Sequence, residues 1–96
     1  MLNRPFTGII AAPLLPMHEG GDIDWATLER YVDWIAAQRP AAVVMNMDAS
    51  EVISLEDDEQ CQVIEVCKKV VAARVPFLSG VVAGSTRAAA RKARRF

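Results

Sequence analysis

The chain has 96 residues and a mass of 10.5 kDa, so it can form one small domain or one part of a larger domain. Hydrophobic residues make up 52% of it and charged residues 24%, which excludes disordered, collagen-like and low-complexity proteins. The apolar run at residues 8–17 is too short to cross a bilayer, and it lacks the cleavage site of a signal peptide. We therefore expect a cytoplasmic protein that does not bind membranes.

Acidic and basic residues are segregated along the chain, although the net charge is only −1. Residues 1–65 have a balance of −9, whereas residues 66–96 contain eight basic residues and no acid, a balance of +8. The basic end is either a patch for nucleic acid or another acidic partner, or a helix face whose acidic neighbours lie elsewhere. No aromatic residue is interleaved with these bases, so we favour the helix face and expect no nucleic-acid binding.

The two cysteines, Cys61 and Cys67, fall within one predicted helix. A rise of about 1.5 Å per residue places their Cα atoms roughly 9 Å apart, beyond the limit of about 7 Å for a disulfide. No histidine or further cysteine stands at metal-ligand spacing from them. We therefore predict no metal site and no cofactor, and we interpret both cysteines as small buried hydrophobic residues.

The first predicted unit is a strand followed by a helix. An apolar run without alternation predicts a strand over residues 8–13 that is covered on both faces. Asp24 is the predicted N-cap of a helix over residues 24–38, in which apolar residues recur at spacings of three and four. We expect Trp25 and Trp34 to pack this helix against the sheet.

Two more units of the same kind follow. Apolar runs predict strands over residues 41–47 and 75–82, and helices are predicted over residues 55–73 and 86–95. The segment that begins at Ser54 has the form of a capping box for the second helix.

This order of elements predicts parallel strands joined by helical crossovers. The strands begin about 34 residues apart, and eight such units form a (β/α)8 barrel of about 250 residues. Three strands alone would leave both edges of the sheet open. The predicted fold class is therefore α/β, with three consecutive βα units of a TIM (β/α)8 barrel, parallel strands and helices on one face, and the chain looks truncated.

Local motifs add a family resemblance. They are Leu15-Pro16 after the opening strand, Gly21-Asp22-Ile23-Asp24 before the first helix, Arg74-Val75-Pro76 and Gly80-Val81 in the third strand, and Gly84-Ser85-Thr86 before the last helix. In order and spacing they resemble the N-terminal third of the dihydrodipicolinate synthase / N-acetylneuraminate lyase family. The resemblance implies a Schiff-base-forming lyase of the class I aldolase type. It makes residues 1–96 the N-terminal part of a single barrel domain, and it implies a small carbonyl or oxo-acid substrate for the full-length protein.

The signature segment of that family falls at residues 42–59, in which Ala42-Val43-Val44, Glu51 and Glu59 fit the pattern and residues 47–50 depart from it. Where the family has Gly-Thr-Thr-Gly-Glu, this chain has Met47, Asp48, Ala49, Ser50 and Glu51. The resemblance makes the last four the candidate substrate-binding residues, because the family's hydroxyl groups hold the carboxylate of a 2-oxo acid. Two like charges about 4 Å apart repel by about 4 kcal/mol at an effective dielectric near 20, so we expect that Asp48 prevents pyruvate from binding in the family's way.

Three alternatives stay open for single residues of this segment. The Glu51 carboxylate could hydrogen-bond to the backbone of the loop, and Asp48 could cap a turn. Asn46, at the end of the second strand, could be a polar residue of the pocket.

The resemblance places no catalytic residue in this chain, because the family's tyrosines and its Schiff-base lysine come from later strands. We expect Lys68, Lys69 and Lys92 to fall on polar helix faces, where nothing desolvates them as a nucleophilic lysine requires. The chain alone should therefore be inactive. The alternative is a free-standing α/β interaction module whose basic C-terminal helix binds an acidic partner. Homo-oligomer formation through the open sheet edges also stays open.

Overall fold

The computed structural model describes residues 6–96 and contains three strands and three α-helices in alternation. In chain order the elements are β1 (Ile10–Ala11), α1 (Trp25–Ala37), β2 (Ala42–Met45), α2 (Asp57–Val71), β3 (Phe77–Ser79) and α3 (Thr86–Arg95). All six predicted elements are present, but the prediction that the first strand is covered on both faces is wrong, because Ile9 and Ile10 are 76% and 42% exposed. The strands are shorter than their apolar runs, because the backbone leaves the extended conformation early; Asn46, for example, has a φ of 59°.

The three strands form one parallel sheet in the order β1-β2-β3. Ile10 pairs with Ala42, and Val43 pairs with Phe77. The helices α1 and α2 contribute to the same hydrophobic core as Val43 and Met45, so both helices cover one face of the sheet. This one-sided arrangement confirms the prediction of a barrel fragment, since a doubly wound sheet would have helices on both faces.

Helix α1 begins as predicted, with Asp24 as its N-cap. The Asp24 carboxylate accepts hydrogen bonds from the Thr27 backbone N–H at 3.1 Å and from the Thr27 hydroxyl at 2.8 Å. These two bonds hold the pKa of Asp24 below its ordinary value. Trp25 packs against the core, but the prediction for Trp34 is wrong, because this side chain is 63% exposed. Trp34 lies two residues from the buried Val32, which places it about 200° around the helix from the core-facing side.

Helix α2 begins two residues later than predicted, and the capping box at Ser54 is wrong. Ser54 instead ends a short 3-10 turn, in which its N–H donates to the Glu51 carbonyl at 2.9 Å. The N-cap is Glu56, whose backbone N–H donates to the Glu59 carboxylate at 2.9 Å.

The cysteines of α2 differ from each other in burial. Cys67 is fully buried, which raises the pKa of its thiol to about 12, whereas Cys61 is only partly buried. The interpretation as a small buried hydrophobic residue is therefore confirmed for Cys67 and incomplete for Cys61.

The opposite face of the sheet is open. Ile10 shares this face with Ala42 and Val44 and is 42% exposed. Among residues 6–96, β1 and β3 each have one edge without a paired strand. In a complete barrel this face would look into the barrel interior, and both edges would be paired. Within the described part of the chain, no helix combines the length and the apolar character needed to span a membrane.

Candidate substrate-binding site

The four candidate residues lie in the loop between β2 and α2. Two 3-10 turns, Asp48–Ser50 and Val52–Ser54, make up this loop. They meet at Glu51, which has a left-handed φ of 61° that is unfavourable for a residue with a side chain. The loop follows the carboxyl end of a parallel strand, where (β/α)8 barrels build their active sites. The position therefore suits a substrate-binding loop.

Ser50 closes the first of these turns. Its hydroxyl accepts a hydrogen bond from the Met47 N–H at 2.9 Å and donates one to the Met47 carbonyl at 3.2 Å. The side chain is only 1% exposed. The structure thus places Ser50 inside the loop, where its hydroxyl is occupied by the loop backbone.

Asp48, Ala49 and Glu51 lie on the outside of the loop and are exposed. Within residues 6–96, neither the Asp48 nor the Glu51 carboxylate has a hydrogen-bond partner or an ion pair. The alternatives in which these carboxylates bond the loop backbone therefore do not describe this structure. Both carboxylates are free to meet a ligand.

Asn46 joins the end of β2 to its neighbours. It is fully buried, and its amide nitrogen donates to the Gln60 carbonyl at 3.2 Å and to the Ser79 hydroxyl at 3.0 Å. Because a carbonyl can only accept, the bond to Gln60 fixes which way the amide points. Its oxygen is buried without a donor among the described residues.

Gln60 holds the other end of the loop, and sequence analysis missed it. Its side-chain amide donates to the carbonyls of Val52 at 3.3 Å and Leu55 at 3.2 Å, and the residue is 4% exposed. A signal was present, because Gln60 continues the apolar stripe of Val63 and Cys67 at helical spacing. A polar residue within such a stripe indicates a buried hydrogen-bonding role.

Gly80 allows β3 to approach the corner where the loop begins. Its N–H donates to the Met45 carbonyl at 2.9 Å. An added Cβ would overlap the Asn46 carbonyl oxygen and would lie 2.8 Å from the Met47 sulfur. A side chain at this position would therefore displace the residues that lead into the loop.

Lys92 is less exposed than predicted. Its side chain is 14% exposed, and its ammonium donates to the Val82 carbonyl at 2.8 Å and pairs with Asp57 at 3.1 Å. The prediction that nothing covers this lysine is wrong, because α3 folds back onto the acidic first turn of α2. Arg95 pairs with Asp58 in the same way, so part of the basic helix finds its acidic neighbours within the chain.

The cavities described among residues 6–96 are lined by residues other than 48–51. A cavity of about 740 Å³ lies between α2 and β3, and its lining includes Ile64, Lys68, Phe77 and Phe96 but none of residues 48–51. In a (β/α)8 barrel, a loop at this position forms only one wall of the active site. In a closed barrel the other walls come from the loops of further βα units.

The sequence model of the Dihydrodipicolinate synthetase family matches residues 5–96. This chain belongs to that family. Over 86 residues it is 36% identical to the 4-hydroxy-tetrahydrodipicolinate synthase of Methylibium petroleiphilum, covering 90% of this chain and 29% of the relative. The same-named enzyme of Acidiphilium cryptum is 37% identical over 84 residues, covering 88% of this chain and 29% of that relative.

Solved structures agree with this assignment. The chloride-inhibited dihydrodipicolinate synthase of Acinetobacter baumannii, complexed with pyruvate, is 32% identical with a TM-score of 0.88, covering 94% of this chain and 31% of that one. An N-acetylneuraminate lyase of Mycoplasma synoviae shares the fold, with a TM-score of 0.80 at 17% identity, covering 94% and 32% of the two chains. The chain thus spans about 30% of the length of the relatives it matches. The predicted family and the barrel-fragment fold are confirmed.

Proposed function

We propose that residues 1–96 are the N-terminal part of a single (β/α)8 barrel domain of an aldolase-type lyase, which forms a Schiff base with a small carbonyl or oxo-acid substrate. The observation that carries this proposal is the position of the loop of residues 48–51. It follows β2 at the carboxyl edge of a sheet that superposes on a pyruvate-bound synthase with a TM-score of 0.88. Location in the cytoplasm stays a prediction from the sequence.

The lysines of this chain do not suit the chemical step. A Schiff-base lysine must lose its charge near neutral pH, which requires a desolvating pocket. Lys68 and Lys69 are exposed, and the ammonium of Lys92 is bound by the carboxylate of Asp57. In our proposal this chain supplies part of the substrate-binding wall, and the lysine nucleophile comes from another part of the barrel.

A chimera tests this proposal. Residues 1–96 are joined to the remaining two thirds of the Acinetobacter baumannii relative, and the folded product is treated with borohydride in the presence of pyruvate, hydroxyacetone or aminoacetone. Borohydride reduces a Schiff base to a stable amine, which intact-mass measurement detects. We expect an adduct on the chimera, on a lysine of the relative's segment, and none on the 96-residue chain alone.

Two results would overturn the proposal. One is a folded chimera that forms no adduct with any of the three compounds. The other is an adduct that peptide mapping places on Lys68, Lys69 or Lys92. The unmodified relative, treated in parallel, is the positive control for trapping.

A further inference from the structure

We propose that the substrate presents hydrogen-bond donors, hydroxyl or ammonium groups, to residues 48–51 of the loop between β2 and α2, and that no carboxylate of the substrate binds to this segment. This inference rests on the proposed function, because it assumes that the loop contacts the substrate. It concerns only which groups of the substrate the loop recognises.

Among residues 48–51, the exposed side chains offer hydrogen-bond acceptors but no donors. Ala49 has no polar group, and the hydroxyl of Ser50 is occupied by the Met47 backbone. Ionised Asp48 and Glu51 are acceptors only. A substrate carboxylate, which is also only an acceptor, therefore finds no side-chain donor among residues 48–51; the exposed Ser54 hydroxyl lies beyond this segment.

Most backbone donors of the loop are occupied as well. The N–H groups of Ser50 and Val52 donate to the Met47 carbonyl at 3.0 and 3.3 Å, and that of Glu51 donates to the Asp48 carbonyl at 3.1 Å. Within residues 48–51, at most the N–H groups of Asp48 and Ala49 remain for an anion. Both are close in the chain to the Asp48 carboxylate, whose negative charge opposes a second anion.

The charges of the loop are not neutralised within the described part of the chain. No basic side chain of residues 6–96 lies within 4 Å of the Asp48 or Glu51 carboxylate. Beside the loop, the amide oxygen of Asn46 is buried and has no donor among residues 6–96. A substrate hydroxyl or ammonium would form charge-assisted hydrogen bonds with these carboxylates, which are stronger than neutral ones.

Three small ketones that share the CH3–CO–X skeleton test the inference. In pyruvate X is a carboxylate, in hydroxyacetone it is a CH2OH group that presents a hydroxyl, and in freshly prepared aminoacetone it is a CH2NH3+ group that presents an ammonium. Their relative affinities are measured by competition during borohydride trapping on the chimera described above. Compared with the unmodified relative, the chimera should shift at least about tenfold from pyruvate towards a donor-bearing ketone. A shift towards hydroxyacetone identifies the hydroxyl as the recognised group, and a shift confined to aminoacetone identifies the ammonium.

Two variants of the chimera isolate the charge of the loop. Asp48→Asn keeps the shape but replaces the carboxylate with an amide that can donate, so it should return the preference about tenfold towards pyruvate. Glu65→Gln is the matched control, since it removes an exposed acidic charge from α2 and should leave the preference unchanged. If the chimera does not fold, the same measurements are made on the relative with only its segment equivalent to residues 47–50 replaced by Met-Asp-Ala-Ser.

The inference and the proposed function can fail separately. Pyruvate preferred as strongly as by the unmodified relative, with no change on Asp48→Asn, would overturn the inference and leave the Schiff-base function intact. A folded chimera without any adduct would overturn the function. In that case the relative that carries Met-Asp-Ala-Ser in place of its own segment still shows whether the loop discriminates against a carboxylate. If its preference for pyruvate over the other two ketones is unchanged, the inference is overturned too.

Discussion

Replacing Gly80 by alanine should strongly destabilise the fold, because β3 approaches the corner after β2 at this residue. The new Cβ would overlap the carbonyl oxygen of Asn46 and would lie 3.2 Å from its carbonyl carbon. Both are backbone atoms, which cannot rotate away as a flexible side chain can. The Met47 sulfur, at 2.8 Å, would also have to move by roughly 0.6 Å or more to reach an ordinary contact distance of 3.4 Å.

The expected loss has two parts. Overpacking of a well-packed site costs about 1–3 kcal/mol. Separating the strands also weakens the hydrogen bond from the Gly80 N–H to the Met45 carbonyl, worth about 0.5–1.5 kcal/mol. Together they lower the free energy of unfolding by about 2–4 kcal/mol. For a chain of this size the melting temperature should fall by roughly 10–30 °C.

Urea unfolding followed by circular dichroism measures this loss, and Gly84→Ala is the matched control. An added Cβ at Gly84 meets no atom within 4 Å, and the residue does not have a left-handed φ. The control should stay within about 0.5 kcal/mol of the parent, or gain slightly because the unfolded chain becomes less flexible. Equal midpoints for the two variants would refute the close approach of β3 to Asn46.

Three further predictions concern single side chains. At pH 8 a thiol reagent should label Cys61 in the native chain but Cys67 only on unfolding, because burial raises the pKa of Cys67 to about 12. Mass spectrometry of the labelled chain tests this, and equal labelling rates for the two cysteines would contradict it. Asp24→Ala should destabilise the chain above pH 4, and this loss of stability should shrink as the pH falls below 3.8. The reason is that the folded pKa of Asp24 is lowered from that value and that protonation of Asp24 removes the N-cap. Urea midpoints at pH 6 and pH 2.5 measure the difference, and a loss that is the same at both pH values would argue against an ionised cap. Lys92→Met should lower the free energy of unfolding by about 1–2 kcal/mol, because it leaves the Val82 carbonyl and Asp57 without their partner. Arg95→Met should lower it less, because the Arg95 side chain is 49% exposed. Urea unfolding that gives the opposite order would contradict the packing of α3 on α2.

The order of the elements follows from local properties of the sequence. Apolar runs separated by amphipathic segments indicate buried strands between helices, and a helical crossover between successive strands leads to parallel pairing. The N-cap at Asp24 was also predictable, because a cap uses atoms only three residues apart. The family followed from motifs whose order and spacing can be read from the sequence without knowing any contact.

The candidate loop was located by sequence, but the availability of its side chains was not. The sequence does not distinguish the four candidate residues, because all of them follow the same strand. In the structure, however, the Ser50 hydroxyl bonds to the Met47 backbone, and the carboxylates of Asp48 and Glu51 stay exposed. This difference arises from the 3-10 geometry of the loop, and the spacing of apolar residues in the sequence does not predict that geometry.

Contacts between distant parts of the chain were decided only by the tertiary structure. The amide of Asn46 meets Ser79 across 33 residues, and the ammonium of Lys92 meets the carboxylate of Asp57 across 35 residues. Each of these bonds depends on how one element lies on another. A free-energy difference of a few kcal/mol can change that packing without altering the helical or strand pattern of either element. The sequence by itself therefore determined which elements form and in what order, whereas the side chains that brace the loop depended on the way β3, α2 and α3 lie against one another.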